Sequence, residues 1–214
     1  MLARLSLFAF CAALAASPAL AKTKTAAPDE VSCSGVFGPE STEALIRETF
    51  GEDNVVTGDV PGPEGTTILA TTVFPNDPDK TMEFGWWDED NRASLSYVQL
   101  SPSQTGPHGV QIGMSVAEVE AANGEPFNIG GFWWDYGGYA QIDSGNLAGD
   151  SNGCFISLRF SPSDDAIGNT DVTAISGEVI ISSSEPLLEQ VDTRVRSISL
   201  GYPDPNYVEP ETDE

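Results

Sequence analysis

Apolar and polar residues alternate along several short segments of the chain, with the period of two that is typical of a half-buried β-strand. The alternation is clearest over residues 82–86, 156–160 and 198–202, where every second side chain is apolar. One apolar and one polar face predict antiparallel sheets that are covered on one side only. Further strand-like segments lie at residues 54–60, 65–74, 92–100, 127–136, 138–143 and 176–184.

Two other segments carry helix signals. In the first, residues 41–52, Ser41 or Thr42 can cap the N-terminus, and Gly51 can end the helix in a left-handed conformation. The apolar stripe predicted for this helix consists of Ala44, Leu45, Ile46 and Thr49.

The second helix signal covers residues 115–126. Ser115 is the predicted N-cap, and Glu118, three positions later, can complete a capping box. Val116 and Val119 are predicted to face inward, and Gly124 is predicted to end the helix.

The two helix signals align with each other. When Thr42 is set against Ser115, Gly51 falls on Gly124, and strand-like segments follow the helix in both halves. A helix followed by several strands is typical of an α+β arrangement. The sequence therefore predicts an α+β protein of two tandem helix-plus-antiparallel-sheet units, residues 31–104 and 105–202.

The segments that flank these units have other properties. Residues 1–21 combine an early basic residue, an apolar run and small residues, which predicts a secretory signal peptide cleaved after Ala21. The apolar run is shorter than the roughly 20 residues that a membrane anchor needs. Residues 22–30 are a predicted disordered spacer, and residues 203–214 are a predicted disordered acidic tail. We therefore expect a periplasmic or secreted protein without a membrane span.

The charge of the chain narrows the range of partners. Its 33 acidic residues outnumber 9 basic residues, which gives a formal net charge of −24 at pH 7. Such a field repels the phosphates of nucleic acids and anionic lipid head groups, so neither is an expected partner. It permits a basic protein partner, a cation or simply a solvated acidic surface.

The cysteines fit an exported protein. Cleavage after Ala21 removes Cys11 and leaves Cys33 and Cys154. An even number of cysteines favours a disulfide in oxidising compartments, where such bonds persist. We therefore expect a Cys33–Cys154 bond. Two separate buried thiols are the alternative, because spacing alone does not establish proximity.

One segment resembles a known family. Residues 110–127, VQIGMSVAEVEAANGEPF, are similar to the start of the SmpA/OmlA small outer-membrane lipoprotein domain, with its Gly-Met-Ser/Thr, short helix and Gly-x-Pro. The matching positions are Gly113, Met114, Ser115, Val119, Gly124 and Pro126. Tandem helix-plus-sheet units also resemble the β-lactamase-inhibitor-protein fold, in which two repeats form a concave sheet that grips a partner enzyme. The resemblance implies a non-enzymatic envelope protein that works through protein contacts.

The sequence contains no recognisable catalytic motif. His108, the only histidine, lies among glycine and proline residues that predict a turn, and no nucleophile motif accompanies it. The acidic segments 76–80 and 88–91 lack the EF-hand spacing and are predicted hairpin turns. We expect no metal, no cofactor and no catalysis. The alternative is a secreted hydrolase that attacks glycan or cell-wall material through carboxylates, with Asp135 as one of them.

Candidate binding residues come from the tripeptide Trp-Trp-Asp, which ends once at Asp88 and once at Asp135. Alternate residues of an extended segment point to the same side, so Trp133 and Asp135 are predicted to share a face. Trp87 and Trp133 can then lie on one partly exposed sheet face, and exposed aromatic residues anchor many interfaces. A covered face is the alternative. We predict Trp87, Trp133 and Asp135 as binding residues of an exported interaction module of the bacterial cell envelope, with another envelope or secreted protein as partner.

Overall fold

A computed structural model describes residues 31–149 and 153–207. These residues form short α-helices and two antiparallel sheets, so the predicted α+β class is confirmed. The helices are α1 (Glu43–Phe50), α2 (Val116–Asn123), α3 (Asp164–Ile167) and α4 (Pro186–Gln190). The strands are β1 (Val55–Pro61), β2 (Thr67–Val73), β3 (Met82–Asp88), β4 (Ala93–Gln99), β5 (Asn128–Gly130), β6 (Ala140–Gln141), β7 (Phe155–Ser161), β8 (Ile180–Ser182) and β9 (Arg194–Gly201). The predicted signal peptide, the spacer and residues 208–214 of the tail lie outside the described residues.

Both of the predicted helices begin at the residues that their capping signals indicate. The Thr42 hydroxyl accepts a hydrogen bond from the Leu45 N–H at 3.2 Å. At α2 the Ser115 hydroxyl accepts from the Glu118 N–H at 3.3 Å, and the Glu118 carboxylate accepts from the Ser115 N–H at 2.7 Å. These reciprocal bonds satisfy backbone donors that the first turn leaves free. Gly124 ends α2, as predicted, and its backbone is in the left-handed conformation.

Helix α1 departs from its prediction in two respects. Its buried side chains are Ile46 and Phe50, whereas Ala44 and Leu45 of the predicted stripe are exposed. Residues four positions apart share one face of a helix, so burial of the large Phe50 ring fixes which face turns inward. Gly51 has the positive φ of 89° that favours glycine, but its ψ of 135° lies outside the left-handed helical region.

Six strands form one antiparallel sheet in the order β1-β2-β3-β4-β9-β7. The first four strands are a meander from the first half of the chain, and β9 and β7 come from the second half. The halves meet where β4 pairs with β9, with Gln99 opposite Ser199. Strands of both halves therefore belong to one continuous sheet.

One face of the six-stranded sheet forms the core. Phe84 stacks on Phe37 with ring centroids 5.8 Å apart, and in the second half Phe160 stacks on Phe127 at 5.9 Å. Val119 of α2 is fully buried in the same core, as predicted. The opposite side of the sheet, which we call the open face, consists of Val56, Thr72, Glu83, Gly85, Trp87, Tyr97, Gln99, Phe155, Ser157, Arg159, Ser199 and Gly201.

Three short strands form a second antiparallel sheet in the order β6-β5-β8, and a single bridge between Tyr139 and Arg159 connects it to β7. The predicted strand over residues 127–136 is wrong beyond Gly130, because the chain bends and turns there. Trp133 has a φ of 62°, far from the strongly negative φ of regular β-strand backbone. A Cβ at Gly138 would overlap the Phe160 carbonyl, so glycine lets this loop approach β7 closely.

The N-caps of the two helices occupy equivalent places. Thr42 forms an isolated antiparallel bridge with Ala93, the first residue of β4. Ser115 forms the same kind of bridge with Arg194, the first residue of β9. Each helix start is thereby joined to the last strand of its own half.

The last strand of each half also carries a bulge near its start. In the β3–β4 pair the register shifts after Gly85, which leaves Ser96 as the extra residue of β4. In the β7–β9 pair it shifts after Arg159, which leaves Arg196 as the extra residue of β9. Bulges of this kind increase the local twist of a sheet.

The predicted cysteine pair links the two halves. Cys33 and Cys154 lie at disulfide distance, with their Cα atoms 6.1 Å apart and 121 positions between them in the sequence. Both side chains are buried. Cys33 precedes α1 and Cys154 precedes β7, so the pair joins the start of the first half to the edge strand that the second half adds.

Candidate functional site

A row of register neighbours crosses four strands of the open face. The row consists of Gly85 on β3, Tyr97 on β4, Gly201 on β9 and Phe155 on β7. Each aromatic ring lies across the neighbouring glycine, since a Cβ at Gly85 would overlap the Tyr97 ring and one at Gly201 would overlap the Phe155 ring. Glycine inside a strand weakens the sheet unless a neighbouring ring covers it. The row therefore places two aromatic rings side by side with glycines on the open face.

Tyr97 is held in place at both ends of its side chain. Its ring lies over Gly85, and its hydroxyl donates to the Glu83 carboxylate at 2.7 Å. Burial and the neighbouring Glu83 carboxylate both raise the pKa of Tyr97 well above its usual value. The hydroxyl therefore remains a protonated hydrogen-bond donor, and the ring keeps its orientation.

Trp87 is the large exposed aromatic residue at one end of this surface. Its side chain is 43% exposed, whereas the neighbouring Trp86 is 5% exposed. The Trp87 indole N–H donates to the Tyr202 carbonyl at 3.1 Å. Because Tyr202 follows β9 and Trp87 lies on β3, the indole crosses the intervening strand β4. A fixed, half-exposed indole is the kind of side chain that anchors interfaces.

Negative charge borders Trp87. The turn between β3 and β4 contains Asp88, Glu89 and Asp90, and the last two are exposed. The Asp88 carboxylate accepts from the Asn91 side-chain amide at 2.8 Å and from the Asn91 backbone N–H at 3.0 Å, which lowers the pKa of Asp88. These bonds confirm the hairpin turn predicted over residues 88–91.

A loop beside β7, one edge strand of the six-stranded sheet, contacts the turn next to the other edge strand, β1. The Tyr136 hydroxyl, in the loop between β5 and β6, donates to the Glu64 carboxylate in the turn between β1 and β2 at 2.6 Å. At about 4.8 Å per strand, the edges of a flat sheet of this size would lie about 24 Å apart. The sheet therefore twists and curves. Arg159 of the open face donates to the Asp135 carbonyl at 3.1 Å, which places this loop on the open-face side.

The structure does not bring the two predicted tryptophans together. Trp133 is 51% exposed and lines a cavity with Arg196, near the start of β9. Trp87 is bonded to Tyr202, just after the end of β9. The six positions from Arg196 to Tyr202 correspond to about 20 Å along an extended chain. Asp135 is exposed in the loop next to Trp133.

Other polar candidates lie apart from the open face. His108 is exposed in the turn Pro107–Gly109, and Lys80 pairs with Asp77 at 2.7 Å in the turn predicted over residues 76–80. Within residues 31–149 and 153–207, no group of three His, Cys, Asp or Glu side chains is placed to hold a metal ion. In the same ranges no helix has the length and apolar character needed to cross a bilayer. A cavity of about 550 Å³ beside α2 and α4 has four acidic side chains in its lining, Glu120, Glu185, Glu189 and Asp192.

The sequence patterns did not indicate that Tyr97, Phe155 and Arg159 are parts of a surface. One signal was available, because Gly85 and Gly201 interrupt predicted strands and a glycine inside a strand often marks close approach. The identity of the covering ring depends on the strand register. The sequence does not contain that information locally.

The class of this protein follows from its fold and not from similarity to known proteins. No protein-family model, curated protein or solved structure matches the chain. The structure defines an α+β protein whose main sheet combines strands from both halves and leaves one face open. The open face carries the exposed and hydrogen-bonded Trp87, so it is the surface from which we infer a function.

Proposed function

We propose that this chain is an exported interaction module of the bacterial cell envelope that binds a partner protein on the open face. The observation that carries the proposal is the aromatic surface formed by Trp87, Tyr97 and Phe155, in which hydrogen bonds hold Trp87 and Tyr97. Trp87 and Phe155 are 43% and 53% exposed, and Tyr97 is held by Glu83. Large side chains that are ordered before binding lose little conformational entropy when a partner covers them.

The partner that fits this surface is a protein with a basic contact region. The turn beside Trp87 supplies Asp88, Glu89 and Asp90, and the whole chain has a net charge of −24. Opposite charge increases the association rate and selects among partners, while a desolvated aromatic contact supplies most of the affinity. A ring of lysine or arginine around an apolar centre is thus the expected complement.

The correspondence between the two halves supports the tandem-unit interpretation that underlies this proposal. Equivalent N-cap bridges at Thr42 and Ser115, and similar bulges near the start of β4 and β9, are what a duplicated unit would leave. The curved sheet shared by both halves is similar to the arrangement implied by the β-lactamase-inhibitor-protein resemblance. The Cys33–Cys154 pair is compatible with an oxidising compartment outside the cytoplasm.

The test is loss of partner binding in Trp87→Ala. The mature protein, immobilised, is used to capture a partner from envelope extract, and the captured protein is then purified and titrated against each variant. We expect Trp87→Ala to weaken binding at least about tenfold, since truncating an anchor residue of this kind costs about 2 kcal/mol or more. Affinity for the wild type should also fall as salt is raised.

Ile180→Ala is the matched control. Ile180 is 62% exposed and lies on β8 of the small sheet, which contributes no strand to the open face. It should leave the affinity unchanged, and near-ultraviolet circular dichroism should show that both variants are folded. Equal affinity of Trp87→Ala and wild type for the purified partner would refute the assignment of the open face.

A further inference from the structure

A second cavity lies where the loop after β5 meets β7 and the start of β9. It has a volume of about 320 Å³, at the lower end of the range of small-molecule sites. Two tryptophans and two arginines line it, together with Ser161 and a few neighbouring residues. The four side chains are those of Trp133, Trp134, Arg159 and Arg196.

These two arginines differ from the other basic side chains that the structure describes. Arg47, Lys80, Arg92 and Arg194 each form an ion pair with a carboxylate. In the described ranges, neither Arg159 nor Arg196 has a carboxylate partner, although acidic residues outnumber basic ones 33 to 9 in the chain. Within these ranges, the two positive charges without an acidic partner therefore converge on one cavity.

Arg159 is oriented by the loop itself. Its guanidinium donates to the Gly137 carbonyl at 2.8 Å and to the Asp135 carbonyl at 3.1 Å, and it lies 4.9 Å above the centre of the Tyr139 ring. Backbone carbonyls fix the planar group without neutralising its charge. Arg196 is the extra residue of the β9 bulge, a feature that commonly redirects a side chain beside a functional site.

The aromatic lining is also fixed by the backbone. Trp133 has a φ of 62°, a conformation that costs a bulky residue energy and that is frequent at ligand sites. The Trp134 indole N–H donates to the Gly131 carbonyl at 2.8 Å, and its ring meets the Tyr136 ring edge to face. Both indoles thus border the cavity from one tight loop.

From this arrangement we propose that the cavity binds a small organic anion in which a carboxylate or phosphate is joined to a planar ring. Arg196 and Arg159 would bind the oxyanion, because a guanidinium matches the spacing of two oxyanion oxygens. The Trp133 indole would pack against the planar ring. This site is separate from Trp87 and the acidic turn, so it does not depend on the partner proposed for the open face.

The experiment is a titration of the mature protein with phenyl phosphate and benzoate, followed by tryptophan fluorescence and calorimetry. Two control compounds each contain one half of the proposed ligand. Benzyl alcohol has the planar ring without the anionic group, and inorganic phosphate has the anionic group without the ring. We expect both aromatic anions to bind with dissociation constants at or below about 1 mM, and each control compound to bind at least about tenfold more weakly.

Arg196→Gln should weaken binding of the aromatic anions by about tenfold or more, because a hydrogen-bonded charge is lost. Lys80→Gln removes the same charge from an exposed turn outside the cavity and should leave binding unchanged. Trp133→Leu should reduce affinity for the aromatic anions but not for inorganic phosphate. The proposal is overturned if Arg196→Gln and Lys80→Gln bind alike, or if benzyl alcohol binds as well as benzoate.

Discussion

The two halves of the molecule start alike and end differently. In both halves a capped helix bridges to the last strand, and that strand carries a bulge. The first half then forms a regular meander of four strands of 7 residues each. In the second half β5 and β6 have 3 and 2 residues, and α3, β8 and α4 are inserted between β7 and β9.

This difference separates scaffold from specialised surface. The regular half supplies most strands of the open face, including Trp87 and Tyr97. The irregular half replaces the middle of its meander with the loop that contains Trp133 and Tyr136, and Tyr136 reaches back to the turn between β1 and β2. In the second half, the short strands β5 and β6 are joined by a loop that curves over the sheet and lines a separate cavity.

The largest expected effect comes from the covalent link between the halves. The double variant Cys33→Ser/Cys154→Ser should lose about 2–5 kcal/mol of unfolding free energy, because a link across 121 positions restricts the unfolded chain strongly. Urea denaturation followed by circular dichroism measures this loss. Reduction of the wild type should produce a similar decrease, and an unchanged urea midpoint in both cases would contradict the link.

A smaller effect should distinguish the two glycines under the aromatic row. Gly85→Ala forces the Tyr97 ring to move although its hydroxyl is bonded to Glu83, so we expect a loss of about 1–3 kcal/mol. Gly201→Ala meets the Phe155 ring, which is 53% exposed and can swing into solvent, so its cost should be lower. The same urea titration measures both variants, and equal losses would show that Tyr97 is not held more firmly than Phe155.

The smallest effect concerns the first residue of each helix, which is charged in α1 and apolar in α2. Burial acts to raise the pKa of Glu43, but hydrogen bonds from Arg47, Thr57 and Arg92 outweigh it and lower that pKa. A carboxyl group whose pKa is lowered in the folded state contributes its full stabilisation of the fold above about pH 4.3, the usual pKa of glutamate. This stabilisation is lost as the pH falls through the pKa of the folded state.

Glu43→Gln should therefore cost about 1–2 kcal/mol at pH 7, a value kept modest because part of the group is screened by solvent. The difference from wild type should shrink as the pH falls below about 4.3. Glu48→Gln removes the same charge from an exposed position of α1 and should change stability little. Denaturation at a series of pH values measures both variants, and a pH-independent difference for Glu43→Gln would contradict the role of its ionised carboxylate.

Much of the fold could be predicted because its signals are local. Thr42, Ser115 and Glu118 cap helices through contacts within four residues, and alternation marked β3, β7 and β9. The loop around Trp133 could not be predicted from the same rules. A run of aromatic residues has the composition of a strand, and only the close approach of Gly138 to β7 turns it into a bend.

The candidate site was predicted only in part for the same reason. Trp87 and Trp133 were identified by residue type, and both are exposed, but they lie at opposite ends of β9. Their common face was inferred from a shared tripeptide, which does not fix the pairing of strands that are distant in sequence. The rings of Tyr97 and Phe155 became visible only through the register of four strands.

The sequence by itself determined the α+β class, the starts of the two capped helices and most of the strands, because these follow from short-range periodicity, capping chemistry and composition. The tertiary structure alone decided that Cys33 lies beside Cys154, that both halves share one sheet, that Tyr136 reaches Glu64 across that sheet, and that Arg159 and Arg196 converge on a cavity. Those features depend on strand register and sheet twist, which are set by packing across the whole core.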